Sequence, residues 1–244
     1  MAIVHEQRRD GRLYQIRTAG NSVRLYTNGV FHSQYNPHHT STGSIWDLLV
    51  LPAFLEPTRL KSILVLGIGG GAIMQMLNRI VPGARITGVE IDPVHVELGE
   101  RFFGLAETGS DLFVADARQW VKDYSGPGFD FIIDDLFDES NGEPRRAVPM
   151  DSHWFNALRR LQRGPGLIAA NFAELKEFRH SAFKVDRNHL PSGFTFRHRN
   201  LENLVACLGC DSFPIVDLEN AASEYLGAAT LAKISIRKLT PKSR

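Results

Sequence analysis

Short apolar runs alternate with helical patterns through the middle of the chain. Five runs are bounded by glycine, proline or polar residues, which is typical of buried parallel strands. They cover residues 62–66, 85–91, 111–114, 129–133 and 166–171. Segments with helical spacing separate them, so the order of elements predicts a doubly wound, Rossmann-like α/β fold with a mostly parallel sheet. Residues 193–197 and 203–207 are predicted to close the sheet as an antiparallel pair.

The N-terminal pattern differs from the rest of the chain. Residues 12–16 and 22–26 are rich in β-forming residues and partly alternate. Gly20-Asn21 and Asn28-Gly29 follow them as hairpin turns. We therefore expect two parts, a small β-hairpin region over residues 1–43 and a Rossmann-like domain over residues 44–244.

The first buried strand runs into a loop of four glycines, in which the backbone can turn tightly and approach a ligand closely. These are Gly67, Gly69, Gly70 and Gly71. Glu90 ends the next strand, and Ile91 follows it. A carboxylate at the position of Glu90 can accept both ribose hydroxyls of an adenosine. The loop alone also permits a dinucleotide, because Ala72 takes the third position of a G-x-G-x-x-A pattern.

Carboxylates follow the third and fourth strands. Asp116, with Ala117 behind it, ends the third strand, where it can accept from the amino group of an adenine. The fourth strand runs into a segment with four acids, Asp134, Asp135, Asp138 and Glu139. The carboxyl edge of such a sheet forms the ligand crevice. We therefore expect Asp134 to contribute to the cofactor site and Asp135 and Asp138 to act on the substrate.

Composition and charge narrow the function. The 244 residues carry 28 Lys and Arg against 27 Asp and Glu, a net charge of +1, so neither a nucleic acid nor a membrane partner is expected. The N-terminus lacks an apolar signal core, and the chain is expected to be cytosolic. Cys207 and Cys210 form a C-x-x-C pair, which we interpret as structural rather than redox-active. No metal is expected, although His38, His39 and His153 are available.

Four blocks of sequence carry a resemblance to a known family. From about residue 25 to residue 171 the chain resembles the spermidine synthase-like branch of the class I S-adenosylmethionine-dependent methyltransferase superfamily. The blocks are residues 64–72, 89–93, 114–118 and 129–135. The resemblance implies a cofactor, S-adenosylmethionine or its decarboxylated form, and a homodimer.

The resemblance also implies roles for single residues. Gly67, Gly69 and Gly71 would line the methionine-derived tail of the donor, Glu90 would hold the ribose, and Asp116 and Ala117 would meet the adenine. Asp135 matches the catalytic aspartate, which orients and deprotonates an attacking amine. Asp138 matches a second acid that grips the amine substrate.

Two departures from the family pattern leave the reaction open. Aminopropyltransferases carry an aspartate in the glycine loop, where this chain has Gly70, and a Tyr-His block where it has Ile45-Trp46-Asp47. A missing loop carboxylate favours a methyltransferase that uses the intact donor and acts on an amine or other small nucleophile. The alternatives are an aminopropyltransferase of polyamine biosynthesis and a non-catalytic nucleoside-binding protein.

Overall fold

Four antiparallel strands form the N-terminal part of the protein, whose computed structural model describes residues 1–140, 143–185, 190–209 and 214–240. The sheet follows chain order and contains β1 (Ala2–Arg9), β2 (Arg12–Ala19), β3 (Ser22–Thr27) and β4 (Val30–Tyr35). Asn28 and Gly29 both adopt positive φ angles, of 50° and 86°, between β3 and β4, as the tight turns of hairpins require. The predicted strands β2 and β3 are confirmed, and the predicted hairpin turn at Asn28-Gly29 leads into β4, whereas β1 was not predicted.

An eight-stranded sheet forms the centre of the rest of the chain, in the order β14-β12-β13-β11-β8-β5-β6-β7. The strands β5, β6, β7, β8 and β11 run parallel, and β13 joins β11 in antiparallel register, which confirms the predicted Rossmann-like class. The strands are β5 (Ser62–Leu66), β6 (Arg85–Glu90), β7 (Asp111–Val114), β8 (Phe129–Asp134), β11 (Gln162–Phe172), β12 (Gly193–His198), β13 (Leu204–Leu208) and β14 (Ile234–Leu239).

Helices pack on both faces of this sheet. They are α1 (Ile45–Val50), α2 (Ala72–Ile80), α3 (Pro93–Phe102), α4 (Ala117–Asp123), α5 (Ser152–Arg160), α6 (Leu175–His180), α7 (Ala182–Val185), α8 (Ile215–Leu226) and α9 (Ala228–Leu231). Asp92 and Asp116 begin α3 and α4, because each carboxylate accepts from a backbone N–H two residues on. Within the described ranges, no helix is long and apolar enough to cross a membrane.

Three apolar clusters hold these layers together. Two lie on opposite faces of the central sheet and include Val65 and Ile133 on one side and Leu66 and Ile132 on the other. The third joins the N-terminal sheet to α3, where Tyr14 and its neighbours pack against Phe103. This third cluster fixes the N-terminal sheet over one end of the central sheet.

The order of strands reverses at β5, which has β6 on one side and β8 on the other. Crossovers leave in opposite directions at such a point, and a crevice opens at the carboxyl ends of the strands. After β8, a hairpin of β9 (Phe137–Ser140) and β10 (Glu143–Arg146) extends beside this crevice. The acidic segment after β8 therefore divides between the strand end and the hairpin.

Candidate active site

A cavity of about 930 Å³ lies at the carboxyl edge of the central sheet. Its walls come from the N-terminal sheet, the loop after β5, the ends of β6, β7, β8 and β11, and the β9–β10 hairpin. The volume is near the upper end of the range of about 300–1,000 Å³ for small-molecule sites. The cavity therefore has room for a nucleoside-sized donor and a small acceptor together.

Two of the loop glycines line this cavity for steric reasons. Gly67 has a φ of +80°, and a Cβ there would lie 2.3 Å from the backbone oxygen of Asp135. Gly69 has a φ of +50°, and its Cβ would lie 2.8 Å from the backbone oxygen of His32. Glycine at these positions lets the β8 end and the N-terminal sheet approach the loop closely.

Gly70 and Gly71 serve a different purpose. Both are buried, and neither is among the described residues that line the cavity. A Cβ on Gly70 would lie 3.1 Å from Cβ of Ser33 and 3.2 Å from the ring of Phe103, and one on Gly71 would lie 2.6 Å from Leu105. The interpretation of Gly70 as a missing donor contact is therefore wrong for this geometry, because a side chain there would point into packed core.

Glu90 holds the glycine loop in place. Its Oε2 accepts from the backbone N–H groups of Ile68 (3.1 Å) and Gly69 (2.8 Å), and its Oε1 accepts from that of Asp92 (3.0 Å). Burial raises the pKa of Glu90, although these backbone donors act in the opposite direction. A carboxylate has about four acceptor sites, so three donors leave capacity for about one ribose hydroxyl rather than the expected two.

Asp92 ties the N-terminal sheet to this end of the cavity. Its Oδ2 accepts from the hydroxyl of Tyr14 at 2.8 Å and lies 3.4 Å from the guanidinium of Arg12. His95, one turn along α3, lies 2.8 Å from the hydroxyl of Thr27. Burial lowers the pKa of His95 to about 4, and burial together with the Asp92 hydrogen bond raises that of Tyr14 to about 12. Arg12 and Tyr14 were not predicted as site residues.

The opposite wall of this end presents an apolar surface. Ile91 lines the cavity and is 66% exposed, and Ala117, at the start of α4, also lines the cavity. Asp116 also lines the cavity, but its Oδ1 accepts from the guanidinium of Arg118 at 3.2 Å and its Oδ2 accepts from it at 2.8 Å. The hydrogen bonds from Arg118 lower the pKa of Asp116. A base bound on Ile91 would therefore meet an ionised Asp116 that already has a cationic partner.

Asp134 lies outside the cavity wall. Its carboxylate is fully buried and accepts from Arg146 at 2.9 and 3.0 Å and from the indole N–H of Trp154 at 2.7 Å. The Arg146 side chain is only 2% exposed. Asp134 therefore anchors the β9–β10 hairpin to the sheet, and we assign it a structural role rather than the expected role in donor binding.

Asp135 lines the cavity one residue further on. Its Oδ1 accepts from the side-chain amide of Asn171 at 2.8 Å, and the Oδ1 of Asn171 accepts from Asn203 at 3.1 Å. Burial raises the pKa of Asp135 to about 6, against the lowering effect of Asn171. The carboxylate is thus ionised at neutral pH and basic enough to accept a proton there. Sequence reasoning named Asn171 only as a strand end and did not single out Asn203.

The hairpin and α1 complete the far end. Phe137 and Asp138 line the cavity from β9, and Asp138 is exposed. Trp46 contributes from α1 and lies edge-on to Phe31, with ring centroids 5.1 Å apart. Asp47, beside Trp46, is buried and accepts from the loop that precedes α1, so it shapes that loop rather than the cavity.

The remaining candidate residues lie away from the cavity. His38, His39 and His153 are exposed, and the described part of the chain contains no cluster of three or more metal-ligating side chains. Cys207 is buried in β13, whereas Cys210 lies outside the described residues.

Sequence comparison finds two kinds of transferase. No known family model matches the chain. A polyamine aminopropyltransferase of Vibrio vulnificus is 29% identical over 138 residues, which cover 55% of this chain and 45% of that protein. The eEF1A lysine and N-terminal methyltransferase of Mus musculus is 31% identical over 111 residues, which cover 44% of this chain and 15% of that protein. The chain spans less than half the length of these curated relatives.

Solved structures share the fold. A probable spermidine synthase from Corynebacterium glutamicum aligns with a TM-score of 0.78 and 15% identity, over 98% of this chain and 92% of that chain. Human methyltransferase-like protein 13, solved in complex with SAH, aligns with a TM-score of 0.58 and 19% identity, over 78% of this chain and 90% of that chain. At these identities the likeness concerns the fold, and the chemistry has to be argued from the cavity.

Proposed function

We propose that this chain, which has the spermidine synthase-like form of the S-adenosylmethionine-dependent methyltransferase fold, methylates an amine or other small nucleophile with intact S-adenosylmethionine. The observation that carries the proposal is the position of Asp135. Its carboxylate, with a pKa of about 6, shares one cavity with the glycine loop and Glu90. A proton acceptor thus lies beside the donor end of the site, as transfer to an amine requires.

The residues at the donor end suit an adenosyl group. Gly67 and Gly69 have no side chain, so the backbone of the loop can approach a ligand closely. Glu90 can accept from about one more hydroxyl, and Ile91 offers an apolar face for the base. In this proposal Asp116, which lines the cavity and pairs with Arg118, also accepts from the amino group of the adenine. When bound, S-adenosylmethionine supplies an electrophilic methyl carbon on a sulfonium.

Asp135 and its neighbours would act on the acceptor. An amine is protonated near neutral pH, with a pKa of about 10, and must lose a proton before it attacks. Asp135 attracts the ammonium and takes the proton. Asn171 fixes the carboxylate in one orientation, and holding the nitrogen in line can lower the barrier by about 7–11 kcal/mol.

The carboxylates near the glycine loop favour the intact donor over the decarboxylated donor, because they already have other partners. A decarboxylated donor carries an ammonium without its own carboxylate, so it needs a protein carboxylate as partner. Glu90 is occupied by three backbone donors, and Asp135 is reserved in this proposal for the ammonium of the acceptor. The methionine end of the intact donor carries its own carboxylate beside the ammonium, so it has less need of a protein carboxylate as partner.

A second candidate is an aminopropyltransferase that uses the decarboxylated donor. The likeness to a probable spermidine synthase over 98% of the chain and the pair of acids Asp135 and Asp138 support it. Calorimetric titration with the two donors in parallel separates the candidates. We expect the intact donor to bind more tightly. Tighter binding of the decarboxylated donor favours the second candidate, and binding of neither contradicts both.

A further inference from the structure

We propose that the acceptor is an amine with an uncharged, largely apolar body, and that this body lies beside β11 and β13 against Ile45, Trp46 and Leu201. This inference rests on the proposed function and specifies the substrate class of the same cavity. It concerns the part of the cavity beyond Asp135, which the donor does not fill.

The order of the strands places the donor and the acceptor on opposite sides of Asp135. Glu90 lies at the end of β6, the glycine loop follows β5, and Asp135 follows β8. Beyond β8 the sheet continues with β11 and then β13. A donor held at Glu90 and the loop occupies the cavity up to Asp135. An acceptor that attacks in line, from behind the methyl carbon, therefore lies on the side of β11 and β13.

The wall contributed by β11 and by the loop between β12 and β13 is uncharged. Its described lining residues are Asn171, Leu201 and Asn203. The side chain of Asn171 is bonded to both Asp135 and Asn203, so its amide already has partners. A charged group of the acceptor placed against this wall would lose hydration without gaining an ion-pair partner from it. The part of the acceptor that lies here should therefore be uncharged.

Apolar side chains from α1 and β4 adjoin this wall. Ile45 and Trp46, at the start of α1, line the cavity, and α1 contacts both β11 and β12. Phe31, on β4, also lines the cavity and meets Trp46 edge-on, with ring centroids 5.1 Å apart. Together with Leu201 these side chains offer apolar surface, and apolar area removed from water stabilises a complex. The body of the acceptor should therefore be hydrocarbon.

The spacing of the strands limits the length of this body. Neighbouring strands lie about 4.8 Å apart, so β8 and β13, on either side of β11, lie about 10 Å apart. With carbon–carbon bonds of about 1.5 Å, an extended chain of about seven carbons fills this length. Heptylamine is therefore a suitable probe of the acceptor class.

Two amines of equal length test the inference by calorimetric titration of the protein saturated with S-adenosylhomocysteine. In 2-(2-methoxyethoxy)ethylamine, ether oxygens replace two CH₂ groups of heptylamine, and contacts of the ammonium with Asp135 or Asp138 are the same for both. We expect heptylamine to bind at least about tenfold more tightly, because a buried ether oxygen loses its hydrogen bond with water. Equal affinity, preference for the ether amine, or binding of neither amine overturns the inference.

Replacing Leu201 by serine should reduce the difference between the two amines. Leu201→Ser removes apolar surface from the wall, so heptylamine should bind about tenfold more weakly, whereas the affinity of the ether amine should change by less than about threefold. Leu231→Ser is the matched control, because Leu231 is also half-buried but lies on α9, outside the described lining. An unchanged affinity for heptylamine, or an equal loss for both amines, contradicts the position given to the body of the acceptor.

The same titrations separate this inference from the function on which it rests. If S-adenosylhomocysteine itself does not bind, the proposed function fails and the inference fails with it. If S-adenosylhomocysteine binds and heptylamine is not preferred, only the inference about the acceptor is overturned.

Discussion

The side-chain amide of Asn171 donates a 2.8 Å hydrogen bond to Oδ1 of Asp135. A carboxylate only accepts, so this contact requires the NH₂ group of Asn171 to face Asp135 and its oxygen to face Asn203, which donates to it at 3.1 Å. The chain of three side chains holds the carboxylate in one orientation. It also favours the ionised form, against the burial that raises the pKa of Asp135 to about 6.

Removal of the Asn171 side-chain amide should shift the pH dependence of activity. With Asn171→Leu, the pKa of Asp135 should rise further above its usual value, so the acid limb of kcat/KM against pH should shift upward from about 6. Activity lost near neutral pH should return at higher pH. Asp135→Asn should remove the limb and leave donor binding within about twofold, at a cost of about 10²–10⁴ in kcat. The exposed control Asn156→Leu should keep the wild-type pH profile. An unchanged acid limb in Asn171→Leu would contradict the role of Asn171 in setting the pKa of Asp135.

The buried ion pair of Arg146 and Asp134 should contribute strongly to stability. Loss of one partner of a buried pair costs about 3–5 kcal/mol, because the remaining charge is left without compensation. We expect a decrease of this size in the free energy of unfolding for Arg146→Met, measured in urea. Arg145→Met, at the exposed neighbouring position on β10, should change it by less than about 0.5 kcal/mol. Similar values for the two variants would show that the pair is not structural.

A comparison of two glycines separates close packing from backbone strain. Gly67 and Gly83 have positive φ angles of 80° and 87°, but a Cβ meets the Asp135 backbone at 2.3 Å only at Gly67, and nothing within 4 Å at Gly83. Gly83→Ala should cost about 1–2 kcal/mol from the left-handed conformation alone. Gly67→Ala should cost more and also weaken donor binding. Equal effects on unfolding and binding would argue against the close approach of loop and strand.

His95 should make the protein less stable as the pH falls. Burial lowers its pKa to about 4 in the folded protein, against about 6.5 in the unfolded chain. Between these values the unfolded chain binds a proton that the folded protein does not, so the free energy of unfolding falls from pH 6.5 toward pH 4. His95→Gln should reduce this dependence, whereas the exposed His153→Gln should leave it unchanged. Urea titrations at several pH values measure both, and equal slopes for wild type and His95→Gln exclude this role.

Most of the parallel strands could be predicted because they are buried on both faces, although β7, at the edge of the sheet, exposes Phe113 and Val114. The run at β5 is apolar, and Gly67 follows it directly. By contrast, β1 exposes most of its residues and β14 exposes half, so neither forms a continuous apolar run. The helix α5 stops at Arg160, and Gly164 lies in an exposed stretch of β11.

The sequence predicted that the site lies at the ends of the strands. It did not predict which of two adjacent residues faces the cavity. Asp134 and Asp135 are adjacent, and alternate residues of a strand point to opposite faces, so one enters the core while the other enters the cavity. That choice depends on Arg146 and Trp154, which lie 12 and 20 residues further along the chain. The contacts of Arg12 and Tyr14 with Asp92 span 80 and 78 residues and carry no local signal.

Binding of the donor to the cavity is the claim on which the rest depends, and Ile91 allows a direct test. This side chain is 66% exposed, so Ile91→Asp should fold normally, yet it places a charge where the base should pack. Val216→Asp, at a 56% exposed apolar position on α8, is the matched control. Calorimetric titration with S-adenosylmethionine should show one saturable site in the wild type and in Val216→Asp, and at least about tenfold weaker binding in Ile91→Asp. No binding to the wild type, or equal affinity in all three proteins, would contradict this account.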